Sequence, residues 1–198
     1  MKPLIFNDPL LELDRFIFEP KIGKWEKENQ QKQTKVKEMS FITYNVYFST
    51  VDLKSRAEEL LKLIVKKNVD VISLQEVTKI FLEIFLSNDF IRNNYCCSDI
   101  DASSFGGYGI VTLVKREFYP KFYIRKLPTR VNNFLFKFFM FKYYFLKMDR
   151  KVVISEFSFE ENKVLKIGNV HLESLRSGDV RKAQLQTILP ILKESSDR

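Results

Sequence analysis

Three polar residues, Asn45, Glu76 and His171, each stand at the end of a run rich in β-branched and apolar residues. Asn45 closes Phe41-Ile42-Thr43-Tyr44, Glu76 closes Val71-Ile72-Ser73-Leu74-Gln75, and His171 follows Ile167-Gly168-Asn169-Val170. A lone carboxylate with an amide beside it suits Mg²⁺, which keeps several waters and takes one or two protein oxygens. An imidazole next to such an ion can donate a hydrogen bond to a phosphoryl oxygen as charge builds there. The chemistry is metal-assisted hydrolysis of a phosphate ester. Asn45 and Glu76 are the candidate ligands for Mg²⁺, with Mn²⁺ as the alternative ion, and Asn45, Glu76 and His171 form the candidate catalytic set. Each also has a plainer reading. Asn45 could serve a turn, Glu76 could be a charge in the first turn of a helix, and His171 could be a satisfied, half-buried histidine.

Those roles require elements that bring the three together. Residues 40–48 read as a strand, 53–68 as an amphipathic helix, and 69–77 as a strand apolar enough to be covered on both faces. The helix has Leu53, Ala57, Leu60, Leu61, Ile64 and Val65 on one face, with Asp52 as its N-cap. Two strands joined by such a helix lie parallel through a right-handed crossover, so Asn45 and Glu76 meet at one sheet edge. Further strands are expected over 108–115, after the turn signal Gly106-Gly107, and over 121–127, 151–159 and 163–172, the last two as a hairpin. Residues 78–87 read as a short helix. Residues 179–194 read as another, with Leu185, Ile188, Leu189 and Leu192 aligned and a kink at Pro190. Residues 1–38 read as a leader, with polar 21–38 as its loop and the apolar stretch Leu4 to Phe18 packing back on the body. Residues 39–198 form that body. Residues 131–147, rich in Phe and Tyr with Lys137, Lys142 and Lys147 spaced by five, match no regular period and read as an insertion outside the sheet core.

Composition narrows the classes. With 198 residues, 45% hydrophobic and 29% charged, the chain can bury a core and is not disordered throughout. No run of 18 uncharged apolar residues occurs, and Asp8, Glu12 and Asp14 interrupt the first apolar stretch, so neither a transmembrane helix nor a signal peptide is expected. Adjacent Cys96 and Cys97 fit free thiols of an intracellular protein, nuclear or cytoplasmic. The single histidine excludes His-rich metal sites. Of the net charge of +8, residues 115–151 hold eleven Lys/Arg against two Asp/Glu, so the rest of the chain is near neutral. That segment suits a polyanion such as nucleic acid, and equally an anionic membrane surface.

Four stretches, in order, carry a family resemblance: Thr43-Tyr44-Asn45, Asp70 through Gln75-Glu76-Val77, Tyr108-Gly109-Ile110-Val111, and Asn169-Val170-His171-Leu172-Glu173-Ser174. They resemble the endonuclease/exonuclease/phosphatase superfamily, and within it the tyrosyl-DNA phosphodiesterase 2-like branch. Tyr44 stands where that family usually has Trp. The resemblance implies an α+β fold, two β-sheets packed as a sandwich and flanked by helices. It implies that Glu76 binds the metal, Asn45 orients the metal shell or the attacking water, and His171 hydrogen-bonds the scissile phosphate. Tyr108, Arg150 and Ser174 become candidate substrate-binding residues.

Two further motifs of the family, Gly-Asp-x-Asn and a terminal Ser-Asp-His, are absent from the sequence. Gly178-Asp179-Val180-Arg181 has Arg where Asn belongs and opens a helix, and Ser196-Asp197-Arg198 ends in Arg. The expectation is therefore a domain incomplete at its C-terminus and an isolated chain with little or no activity. Three functions compete: a Mg²⁺-dependent phosphodiesterase acting on DNA with a 5′ adduct or a related nucleic acid, a lipid or inositol phosphate hydrolase of the same superfamily, and a non-catalytic nucleic-acid-binding module.

Overall fold

The computed structural model describes residues 8–30, 32, 38–129, 150–158, 163–174 and 177–193. In chain order these residues form β1 (Leu11–Leu13), β2 (Phe16–Glu19), β3 (Lys24–Lys27), β4 (Phe41–Asn45), α1 (Leu53–Lys67), β5 (Val71–Thr78), α2 (Lys79–Leu86), α3 (Asp89–Asn94), β6 (Tyr95–Cys97), β7 (Tyr108–Lys115), β8 (Lys121–Lys126), β9 (Lys151–Ser158), β10 (Val164–Val170) and α4 (Gly178–Lys193). One sheet has the order β3-β2-β6-β7-β5-β4, the other β1-β8-β9-β10. β4 and β5 are parallel, Phe41 opposite Val71 through Asn45 opposite Gln75, as the intervening helix requires. β5 and β7, β8 and β9, and β9 and β10 are antiparallel.

Period-two alternation in β5 explains the layering. Ile72 and Leu74 turn toward α1 and α2 and pack with Ala57, Leu61, Ile64, Phe81 and Phe85. Val71 turns the other way, into the space between the sheets, with Ile110, Val114, Phe122, Ile124, Val153 and Phe157. A third cluster, Leu127, Val152, Ile154, Ile188 and Ile191, joins the far face of the smaller sheet to α4. The result is helix, sheet, sheet, helix, the flanked sandwich that the motifs implied.

Several expectations are corrected. Part of the leader, residues 11–27, supplies strands to both sheets: β1 pairs with β8, and β2 pairs with β6 and β3. β3 looked like loop because it is a four-residue strand with mostly exposed side chains and only Trp25 packed on the core. Asp52 does sit at the N-cap position of α1, but its backbone is left-handed and its side chain makes no capping bond. Thr78 caps α2 instead, accepting from Phe81 N–H. In α1, Val65 is exposed rather than part of the buried face. In α4 the buried face is Gln184, Ile188 and Ile191, while Leu185 and Leu189 are exposed. A reading of apolar residues alone kept Ile188 but missed Gln184, whose buried amide bonds Pro128 O and Glu173 N–H. Pro190 lies inside α4, which continues to Lys193. Cys96 and Cys97 are free and buried. Residues 131–147, read from the sequence as an insertion, lie outside the described residues. Their flanks meet, since Leu127 N–H bonds Arg150 O at 2.7 Å.

Candidate active site

β5 is irregular where it matters. Its register against β7 runs Gln75 to Ile110 and then Val77 to Gly109, leaving Glu76 as an extra, bulged residue. Without the bulge, alternation would turn Glu76 toward the helices. With it, Val77 takes that apolar place and Glu76 is re-aimed at the strand end. Glu76 has a φ of 59°, a left-handed backbone that costs a non-glycine residue about 1–3 kcal/mol and persists only where surroundings enforce it. The surroundings are visible. Asn45 Nδ2 donates to Glu76 Oε1 at 3.0 Å, and the backbone N–H of Phe48 donates to Oε2 at 3.2 Å. Asn45 is fixed in turn, its Oδ1 accepting from Tyr47 N–H at 3.0 Å.

His171 comes from the other sheet, just past the end of β10, and its Nε2 lies 3.8 Å from Glu76 Oε1. Burial, helped by the nearby positive charge of Arg150, holds its pKa below the usual imidazole value against the opposing pull of Glu76 and Glu173. His171 is therefore neutral at pH 7. Directly beneath it, Asn169 reaches across the sandwich. Its Nδ2 donates to Leu74 O, Val111 O and Thr112 Oγ1 at 3.2, 3.0 and 3.1 Å, and its Oδ1 accepts from Gln75 Nε2 at 2.8 Å. The two sheets, and with them Glu76 and His171, are thus pinned together by one buried amide.

The structure brings Asn45, Glu76 and His171 together at the carboxyl ends of β4, β5 and β10. Tyr108 starts β7 opposite Thr78 and stacks on Phe48, ring centroids 4.6 Å apart and planes 12° from parallel. Burial raises the Tyr108 pKa above the usual phenol value, with Arg150 opposing and Glu76 reinforcing the shift. Arg150 is buried. It donates to Glu173 Oε1 at 3.2 Å and to the carbonyl of His171 at 3.3 Å, so it braces the His171 segment and adds positive potential. Ser174 is exposed, three residues beyond His171, with its N–H on Glu173 Oε1 at 3.3 Å. Gly178-Asp179-Val180-Arg181 opens α4, as its helix-start reading required.

Sequence reasoning gave Asn169 no role and missed Phe48 entirely. Phe48 acts through its backbone N–H, which no side-chain motif announces. Asn169 stands in the fourth motif stretch with no role of its own in the sequence reading, although a buried Asn must find several partners.

Among the described residues no cluster of three or more His, Cys, Asp or Glu side chains could cage an ion. The donors present still fit a hard divalent cation. Glu76 has lone pairs beyond the two it uses, Asn45 Oδ1 has one to spare, and Mg²⁺ fills the rest of its shell with water and substrate phosphate.

Residues 42–188 match the model described as Endonuclease/Exonuclease/phosphatase family. No curated protein sequence matches. Solved structures do. A zebrafish TDP2 humanized by 14 mutations is 21% identical, with a TM-score of 0.54 over 79% of this chain and 57% of its own. TDP2 from C. elegans is 20% identical, TM-score 0.57, over 81% and 44%. The human Nocturnin catalytic domain is 16% identical, TM-score 0.52, over 96% and 64%. The chain thus spans about half the length of these TDP2 structures, and at such identities the likeness is one of fold. The family model covers the elements from β4 into α4, and the two-sheet arrangement agrees with it, so the chain belongs to the endonuclease/exonuclease/phosphatase family, whose enzymes are hydrolases that generally use divalent metal ions.

Proposed function

We propose that this chain carries the site of a Mg²⁺-dependent phosphodiesterase acting on nucleic acid, with DNA bearing a 5′ adduct as its substrate. The observation that carries this is the convergence of Asn45, Glu76 and His171, from two different sheets, around one carboxylate. Glu76, with the Asn45 amide oxygen, would hold the ion. A bound divalent cation offsets charge building on the phosphoryl oxygens. Neutral His171, its Nε2 3.8 Å from Glu76 Oε1, would donate a hydrogen bond to one of those oxygens. Arg150 favours an anionic substrate through its charge and keeps His171 in place. Tyr108, stacked on Phe48, offers an aromatic wall for a substrate passing the site.

The choice of nucleic acid rests on the branch resemblance of the motifs, and on the fact that one structural neighbour, a zebrafish TDP2, is complexed with a single-strand DNA product. Asn45 and Glu76 are proposed to act on the ion before any bond breaks, so binding reads their role directly. The decisive measurement is accordingly binding, followed by single-turnover cleavage. A single-stranded oligonucleotide with a 5′-phosphotyrosyl group should bind more tightly with Mg²⁺ than with chelator, and Glu76→Gln should remove the gain. Metal-independent binding, or tighter Mg²⁺-dependent binding of an inositol phosphate, would overturn the nucleic-acid reading.

A further inference from the structure

Between β4 and α1 the chain runs from Val46 to Asp52 without helix or strand, yet this loop delivers two N–H groups to the site, Tyr47 to Asn45 and Phe48 to Glu76. Its own side chains supply one brace, Ser49 Oγ accepting from Val51 N–H at 3.2 Å, on the far side of the loop from Tyr47 and Phe48 in sequence. Tyr47 has a φ of 60° and Asp52 a φ of 50°, both left-handed positions occupied by residues other than glycine. A loop with that backbone cost would relax unless something outside it enforced the shape.

The enforcing group is Arg56, in the first turns of α1. Its Nη1 donates to Tyr47 O at 2.9 Å and also to Val46 O. Its Nη2 donates to Val51 O at 3.0 Å and to Ser49 O, and its Nε donates to Val51 O at 3.2 Å. All five N–H bonds of the guanidinium are used, on four carbonyls of one loop. The cation also lies 5.5 Å from the centroid of the Tyr47 ring, fixing that side chain as well as its backbone. Carbonyls that converge on one planar cation point the intervening N–H groups the other way, toward Asn45 and Glu76.

We propose that Arg56 is a positioning residue for the candidate metal site: it gathers the carbonyls of residues 46–51 so that the loop holds Asn45 and Glu76 in the orientation that receives a divalent cation. The inference rests on the metal role given above to Asn45 and Glu76. A lysine could not replace it, because a single ammonium cannot span four carbonyls in a plane.

The test uses the full chain with Arg56→Ala and Arg56→Lys, and two readouts. The first needs no metal: amide hydrogen exchange at Tyr47 and Phe48, with thermal melting as a check on global folding. Both variants should exchange faster at those two amides while exchange in β5 and β7 stays unchanged. The second is Mn²⁺ affinity by water-proton relaxation, expected to weaken roughly 10- to 100-fold, the usual effect of losing a group that orients metal ligands. Low millimolar guanidinium should restore much of the affinity of Arg56→Ala, while equal NaCl should not. Unchanged exchange in Arg56→Ala, or lost affinity that guanidinium does not restore, overturns the role of Arg56. Failure of the unaltered chain to bind Mn²⁺ overturns the metal reading instead, and hydrogen exchange still decides whether Arg56 holds the loop. If Arg56→Ala does not fold, Arg56→Lys carries both readouts.

Discussion

The site is organised around one carboxylate, and the groups that touch it are uncharged: an amide from Asn45, a backbone N–H from Phe48, a neutral imidazole from His171. A second carboxylate at position 45 would test whether the pocket is built to be completed by a cation. In Asn45→Asp the new carboxylate would sit about where Asn45 Nδ2 now lies 3.0 Å from Glu76 Oε1. Two like charges that close cannot both ionise cheaply, so one pKa should rise. The sign follows: with a folded pKa above the unfolded value, the metal-free variant should lose stability, relative to the natural chain, as pH rises through the carboxylate range. A divalent cation bound between the two would reverse that loss, because a ligand of the folded state alone stabilises it by mass action. The expected result is a larger Mg²⁺-induced rise in melting temperature for Asn45→Asp than for the natural chain at neutral pH. Equal rises would mean that no cation binds against residues 45 and 76.

At the level of elements, what the sequence made legible was what periodicity controls. α1, β5, β7, β8, β9 and β10 emerge where their apolar spacing places them, and the strand ends of β4, β5 and β10 deliver Asn45, Glu76 and His171 as their positions require. Five elements escaped: β1, β2, β3, β6 and α3, of three to six residues each, are too short to establish a period, and they exist because neighbours supply their hydrogen bonds or cover their one apolar side. The bulge at Glu76 escaped for another reason. A bulge is visible only in the pairing of two strands, and no single strand encodes it. Asn169 shows the same limit, since its four partners come from β5 and β7, far away in sequence. Replacing it by alanine removes all four bonds and leaves buried polar groups short of partners, at a cost on the order of 3 kcal/mol. Urea unfolding of Asn169→Ala should show that loss, and Mn²⁺ affinity should fall with it, because Glu76 and His171 would no longer share a fixed frame. A variant as stable as the natural chain would deny Asn169 its role in joining the sheets.

Across the whole molecule, charge is placed rather than spread. The basic segment between residues 115 and 151 includes β8, and the antiparallel register sets the lysines that begin and end that strand at opposite ends of the sandwich. Lys126 lies opposite Lys151, next to Arg150 and so at the end where His171 stands. Lys121 lies opposite Glu156, at the other end. Like charges facing each other across two strands are unfavourable for the sheet, and their retention beside the site accords with a partner that brings negative charge. Lys126 is exposed and can reach such a partner. For single-stranded nucleic acid, each phosphate contact contributes roughly 0.7 to the slope of log affinity against log salt. Lys126→Gln should therefore reduce that slope by about one contact's worth, while Lys121→Gln should leave it nearly unchanged. Both should melt like the natural chain, since neither side chain is part of the apolar core. Fluorescence-anisotropy titrations of a labelled single strand at several salt concentrations measure the slopes directly. Equal effects from the two lysines would mean that the whole basic face attracts the strand and that the site end has no privileged role in holding it.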